Sequence, residues 1–204
     1  MNEELVAERM SAFGMRFLGL KRGTGIPTRL TGVVTCAGGN DGRHDRIISL
    51  EDEDRVTRFN AEWYELATEY KLLSADRQFL VALTPAIDPV FAQAREATDD
   101  WEDPAWWEYT WGLVELEESW DIAGAGAASG VLGSTYGEPA FVMSSLDGSV
   151  FVAGTRWEDS IGVAVVPEPY RSSTLRKLAR RNLDVGRITE EEEKDLRVWL
   201  AVDH

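Results

Sequence analysis

Two residue types that build reactive centres are almost missing: the 204 residues include one cysteine and two histidines. A lone Cys36 forms no internal disulfide, which fits a reducing compartment. Without Cys or His pairs at ligand spacing, no zinc site is expected. Long apolar runs are missing too; the weakly polar stretch 122–136 is too short to span a bilayer. Met1, Asn2, Glu3 and Glu4 lack the basic-then-apolar order of a secretory signal. These absences lead us to expect a cytoplasmic protein with no membrane partner.

Catalytic motifs are equally scarce. No G-x-S-x-G elbow supports a serine nucleophile. Cys36 precedes a glycine-rich turn, but six residues separate it from Arg43, whereas the cysteine phosphatase loop needs five. Structural roles are therefore expected for Cys36 and His44. Gly124, Gly126 and Gly130 form a G-x-G-x-x-x-G string, which has neither the spacing nor the βαβ setting of a dinucleotide site. The acids of 99–103 lack the alternation and central glycine of a calcium loop. We assign no catalytic residue, cofactor or metal ligand.

Positive charge is absent where negative charge is densest. Between Glu96 and Asp121 there are ten carboxylates, five tryptophans and no Lys or Arg. The net charge of −15 is concentrated in the middle of the chain: residues 51–166 carry −17, residues 1–50 carry +2, and residues 167–204 are neutral. Such a field repels nucleic acid phosphates and attracts basic proteins. Tryptophan supplies large rigid anchors at interfaces, and carboxylates steer basic partners. We therefore expect a basic protein partner, no direct nucleic acid contact, and a partner-binding set of Asp99, Asp100, Trp101, Glu102, Asp103, Trp106, Trp107 and Glu108. Trp111 and Trp120 are expected in the core. The basic stretch Arg176, Lys177, Arg180 and Arg181 is expected to pair with the protein's own acids or to face solvent.

Periodicity outlines the fold. A helix is expected over 3–20, where Val6, Met10, Phe13 and Phe17 recur at helical spacing. Strands are expected at 31–36 and 46–50 around a turn rich in Gly, Asn and Asp. The clearest helix covers 54–72, with Val56, Phe59, Trp63, Leu66 and Tyr70 on one stripe and Asp52 or Asp54 as cap. A buried strand at 78–83 and a helix at 88–97 precede the acidic segment. Residues 110–122 read as a half-exposed strand, with a helix as the alternative. A glycine-rich loop follows at 123–137, expected to be mobile or to approach a ligand. Three strands at 139–144, 149–155 and 161–166 make an antiparallel meander. Two helices close the chain, one capped at Ser172 or Ser173, the other opened by the Thr189 and Glu192 capping box.

These elements give an α+β class: an antiparallel sheet including the meander at about 139–166, with helices packed on one face or at the ends. One domain over 1–204 is expected, with 167–204 as a helical appendage. The composition suits a non-enzymatic acidic binding module, an inhibitor of a basic or nucleic-acid-binding protein of the immunity, antitoxin or phage counter-defence kind. An assembly subunit with a tryptophan-rich interface is the alternative, and a hydrolase with an acidic, tryptophan-lined cleft comes third.

Trp106 and Trp107 give a direct test. Neighbouring side chains point to opposite faces of a strand or diverge by about 100° on a helix, so one faces inward and one outward. Alanine at the outward position should leave the melting temperature unchanged and weaken partner binding by about 2 kcal/mol or more. Alanine at the inward position should cost roughly 3–5 kcal/mol of stability. Melting and affinity of both variants decide it; equal destabilisation with unchanged affinity would reduce the pair to core.

Overall fold

A strand that is apolar on both faces needs cover on both. The strand Gln78–Leu83 sends Phe79, Val81 and Leu83 to one side and Leu80 and Ala82 to the other, and all five are buried. The computed structural model describes residues 1–84, 87, 109–186 and 188–202. In chain order these form α1 (Glu3–Ser11), β1 (Met15–Lys21), a 3₁₀ segment (Thr28–Cys36), β2 (His44–Ser49), α2 (Arg55–Glu69), β3 (Gln78–Leu83), β4 (Thr110–Leu116), β5 (Gly133–Thr135), β6 (Glu138–Pro139), β7 (Phe141–Ser144), β8 (Val150–Arg156), β9 (Ser160–Pro167), α3 (Ser173–Val185) and α4 (Glu190–Leu200). Seven strands make one sheet in the order β1-β4-β3-β7-β8-β9-β2, with every neighbouring pair antiparallel. The expected meander is its β7-β8-β9 portion. The fold is α+β.

Helices cover both faces of this sheet, so a second helical layer accompanies the one expected from the sequence. On the first face, Val6 and Met10 of α1 and Phe59, Trp63, Leu66 and Ala67 of α2 pack on Phe79, Val81, Val114, Val152 and Val163. On the second face, Leu30 and Val34 of the 3₁₀ segment, Leu175 and Ala179 of α3, and Leu196 and Trp199 of α4 cover Leu80, Trp111, Phe151 and Val166. Each large apolar side chain so buried contributes about 1.5–3 kcal/mol. The sequence signal for two layers was the near-continuous apolar character of β3, β8 and β9.

The helix ends follow their caps. The Asn2 side chain accepts from the Glu4 and Leu5 amides, and the Ser172 hydroxyl accepts from the Leu175 amide. At α2, Asp52 accepts from the Asp54 amide and pairs with Arg58, whereas the Asp54 side chain makes no cap bond.

Four expectations are corrected. The helix expected over 3–20 ends at Ser11, and Met15–Lys21 is a strand paired with β4. Phe13 lies in the first core and Phe17 packs against it although β1 is a strand, so spacing alone misled; pairing along β4 accompanies the outcome. Residues 31–36 lie in the 3₁₀ segment, not a strand. Pro27 precedes it, the Thr31 hydroxyl bonds the Thr28 carbonyl, and Leu30 and Val34 face the second layer. The segment expected to be a mobile or ligand-approaching loop at 123–137 holds a π-helical turn, Ile122–Gly126, and the small β5-β6 ribbon, with Ile122, Ala123, Gly124 and Gly126 buried. Trp111 is in the core as expected, but Trp120 is only partly buried. The helix expected at 88–97 lies outside the described residues.

Gly14 makes the turn from α1 into β1. Its φ is +82°, and a Cβ would meet the Ser119 carbonyl oxygen at 2.0 Å. Gly14→Ala should therefore destabilise the protein by roughly 2–3 kcal/mol, measurable by denaturant unfolding. Unchanged stability would show that the β1-β4 end can relax.

Candidate partner-binding region

β3 and β4 are neighbours whose ends pair, Leu83 with Thr110. The connection between them, residues 84–109, is therefore rooted at one end of the sheet. It carries seven acids, one base and three tryptophans. Asp99, Asp100, Trp101, Glu102, Asp103, Trp106, Trp107 and Glu108 belong to it and lie outside the described residues. Its returning root, Tyr109, is half-buried and borders two clefts.

The first cleft, of about 290 Å³, lies between β4, the loop after β1 and α4, with Lys21, Arg22, Trp111, Glu191, Glu192 and Asp195 in its lining. Trp111 forms a wall, and its indole N–H donates to the Ile26 carbonyl at 2.8 Å. Glu192 crosses to the 3₁₀ segment, accepting from the Arg29 amide at 2.7 Å and the Thr28 hydroxyl at 2.8 Å. Asp195 accepts from the Gly25 amide at 3.1 Å. Pro27 offers the 3₁₀ segment no side-chain cap, so a carboxylate from a distant helix supplies one. The Thr189 side chain caps α4 through the Glu192 amide, as the capping-box pattern indicates, while the Glu192 carboxylate serves a different element.

Burial drives both carboxyls up from their ordinary range. For Glu192 the bonds from Arg29 and Thr28 oppose this rise, and the nearby Asp195 charge adds to it. For Asp195 the Gly25 bond opposes it. Glu192 and Asp195 sit one turn apart on one helix and are tied to backbone. Glycosidase carboxylates instead flank the scissile bond. These two act as fasteners of the second layer. Sequence reasoning gave Glu192 only a capping-box role and passed over Asp195, although positions 192, 195, 196 and 199 fall on one helical face with Leu196 and Trp199.

The second cleft, of about 270 Å³, opens on the same face of the sheet. Ala82, Val142 and Ala153 line it with small apolar groups, and Thr31, Thr35 and Thr155 add hydroxyls.

On the opposite face, Asp121 organises the π-helical turn. It accepts from the Asn60 side chain and the Gly124 and Ala125 amides, each at 2.8 Å, while the Asn60 carbonyl oxygen accepts from the Ile122 and Ala123 amides. Burial works to raise the Asp121 carboxyl, and the bonds from Asn60, Ala125 and Gly124 outweigh it, holding it below the ordinary range. Beside this turn Trp120 stacks on Tyr64, with centroids 5.4 Å apart, and meets buried Trp63 edge-on at 5.2 Å. Tyr64 is 40% exposed, and Glu117 and Glu118 are exposed nearby in the chain. The described residues thus include a partly exposed aromatic stack that follows two exposed acids in the chain.

The remaining candidates have structural settings. Cys36 is exposed, and Arg43 donates to the Thr35 and Ala37 carbonyls on either side of it while pairing with Asp45 at 2.7 Å. That guanidinium is committed to backbone and carboxylate and forms no anion cradle with the thiol. The His44 ring lies 5.2 Å from Tyr70. Arg176 donates to the Tyr170 and Leu200 carbonyls, whereas Lys177, Arg180 and Arg181 are exposed. Among the described residues no group of three or more His, Cys, Asp or Glu is placed to hold a metal ion, and no helix is long and apolar enough to cross a membrane. No protein-family model matches the chain, and neither a curated protein nor a solved structure is detectably similar to it.

The buried Glu192 makes a pH prediction. Its folded proton affinity lies above its unfolded one, so its stabilising contribution is fully present below the unfolded pKa, about 4.3. That contribution is lost as pH rises through the folded value. Asp41, Asp52, Glu115, Asp121 and Asp147 are held below the ordinary range and act in the opposite sense. Comparison with Glu192→Gln cancels them. The melting advantage of the native protein over this variant should be larger at mildly acidic pH than at neutral pH; a difference independent of pH would contradict the assignment.

Proposed function

We propose that this protein is a non-enzymatic binding module that captures a basic protein partner, acting as an inhibitor of a basic or nucleic-acid-binding protein. One observation carries the reading. The connection 84–109, with seven acids against one base and three tryptophans, returns to paired strand ends at a half-buried tyrosine set between two clefts. A rigid sheet end is a suitable root for a recognition segment, because interface anchors bind best when their support is preorganised. Carboxylates at such a site occupy the places that nucleic acid phosphates would take on a basic partner, which is the logic of an immunity, antitoxin or phage counter-defence protein. The surplus of acid across residues 51–166 adds long-range steering.

The test is capture of partners from the native host, followed by association kinetics at several salt concentrations. The captured protein should be basic, and its association rate should fall by roughly tenfold or more between low and physiological salt. A variant with Asp99, Asp100, Glu102, Asp103 and Glu108 changed to their amides should melt as the native protein does and lose most of that salt dependence. An acidic partner, or equally fast binding by the neutralised variant, would overturn the proposal.

A further inference from the structure

The two edges of the sheet are not alike. Edge strands invite pairing with other chains unless a bulge, charge or proline blocks them. β1 is broken by a register shift between Phe17 and Gly19, where Gly19 has φ +129°. β2 has neither bulge nor proline, and its two charges are already paired within the chain, Asp45 with Arg43 and Arg46 with Glu62. Its register with β9 runs unbroken from His44 with Val165 to Ser49 with Ser160, and among the described residues no strand lies on its outer side.

The two faces of β2 also differ. His44, Arg46 and Ile48 turn to the first layer: His44 lies against Tyr70, Arg46 pairs with Glu62 at 3.1 Å, and Ile48 is buried. Asp45, Ile47 and Ser49 turn to the second face. There Ile47 is 63% exposed, more than any other large apolar side chain among the described residues. It pairs with Gly162, where a Cβ would come within 2.5 Å of the Trp157 ring. The indole therefore lies across Gly162, beside Ile47, and the edge presents an apolar pair on that face.

We propose that β2 pairs antiparallel with β2 of a second copy of this chain, joining two seven-stranded sheets across a twofold axis at Ile47. Among axes at the four inner positions of β2, Asp45 to Ile48, register singles out this arrangement. A twofold axis perpendicular to a continuous sheet keeps each face on its own side, so it must pass through a residue position, and residues facing across it share a sheet face. An axis at Asp45 sets Asp45 against Asp45. An axis at Arg46 sets arginine against arginine. An axis at Ile48 centres the contact on a side chain already buried under α2. An axis at Ile47 sets Ile47 against Ile47, Asp45 against Ser49 and Arg46 against Ile48, with no like charges opposed. It also brings the Ile47 and Trp157 pairs of both copies into one apolar cluster. This inference does not rest on the acidic segment, which leaves the sheet at a different position.

Analytical ultracentrifugation of the native protein and of Ile47→Asp provides the first arm. The native chain should sediment as a dimer and Ile47→Asp as a folded monomer with native circular dichroism. The second arm uses thiol cross-linking in a Cys36→Ser background. Ile47→Cys should oxidise rapidly to a covalent dimer, because twofold-related positions at the axis are direct neighbours, and Ser49→Cys should not. A monomeric native chain, a dimer that survives Ile47→Asp, or cross-linking at Ser49→Cys as fast as at Ile47→Cys would each overturn the proposal. If Ile47→Asp fails to fold, the cross-linking pair still decides.

Discussion

The architecture depends on the central strands being apolar on both faces. Once Phe79, Val81 and Leu83 of β3 commit to one side, Leu80 and Ala82 must be covered on the other. The same holds for Val152 against Phe151 in β8 and for Val165 against Val166 in β9. Water cannot satisfy either face, so helices gather on both. The first layer is built by α1 and α2 from the N-terminal third of the chain. The second combines the 3₁₀ segment with the last two helices, so distant parts of the sequence must meet there.

That meeting is fastened by charge placed where charge is costly. Glu192 and Asp195 are 8% and 6% exposed, and each accepts its hydrogen bonds from the 24–29 stretch, from the Gly25 and Arg29 amides and the Thr28 hydroxyl. A buried carboxylate is tolerated when such bonds offset its desolvation. The first layer uses the same device in the Asn60–Asp121 pair, with stronger compensation: Asp121 stays readily ionised, whereas Glu192 and Asp195 hold their protons more tightly. The consequence is positional. Fixing α4 to the loop after β1 shapes the cleft beside Tyr109, the root of the acidic connection.

Much of this was legible in the sequence. The strand at 78–83, the meander, the helix with its Phe59, Trp63 and Leu66 stripe, and the cap at Ser172 all follow from local periodicity and turn chemistry. The failures share one cause, which is competition between elements distant in sequence. Residues 15–21 satisfy a helical spacing, but β4 offers them a ladder. Residues 31–36 are β-branched enough for a strand, yet Glu192 fastens the start of the 3₁₀ segment at Thr28 and Arg29, and Leu30 and Val34 pack into the second layer. The glycine-rich stretch at 122–126 looks loose until Asn60 and Asp121 are seen to take up its amides. The carboxylate density of 96–121 was plain from composition; its root between paired strand ends was not, because pairing of β3 with β4 is a long-range fact.

In the proposed function the acidic connection is the working part and the sheet its mount. Hydrogen exchange on the captured complex tests this most directly, because it reports which amides a partner shields without altering the protein. New protection is expected to concentrate in 96–109 and in residues bordering the two clefts at Tyr109, with α3 and the β2 edge unchanged on partner binding. Protection confined to α3, Lys177 and Arg180 included, with 96–109 exchanging as in the free protein, would contradict it.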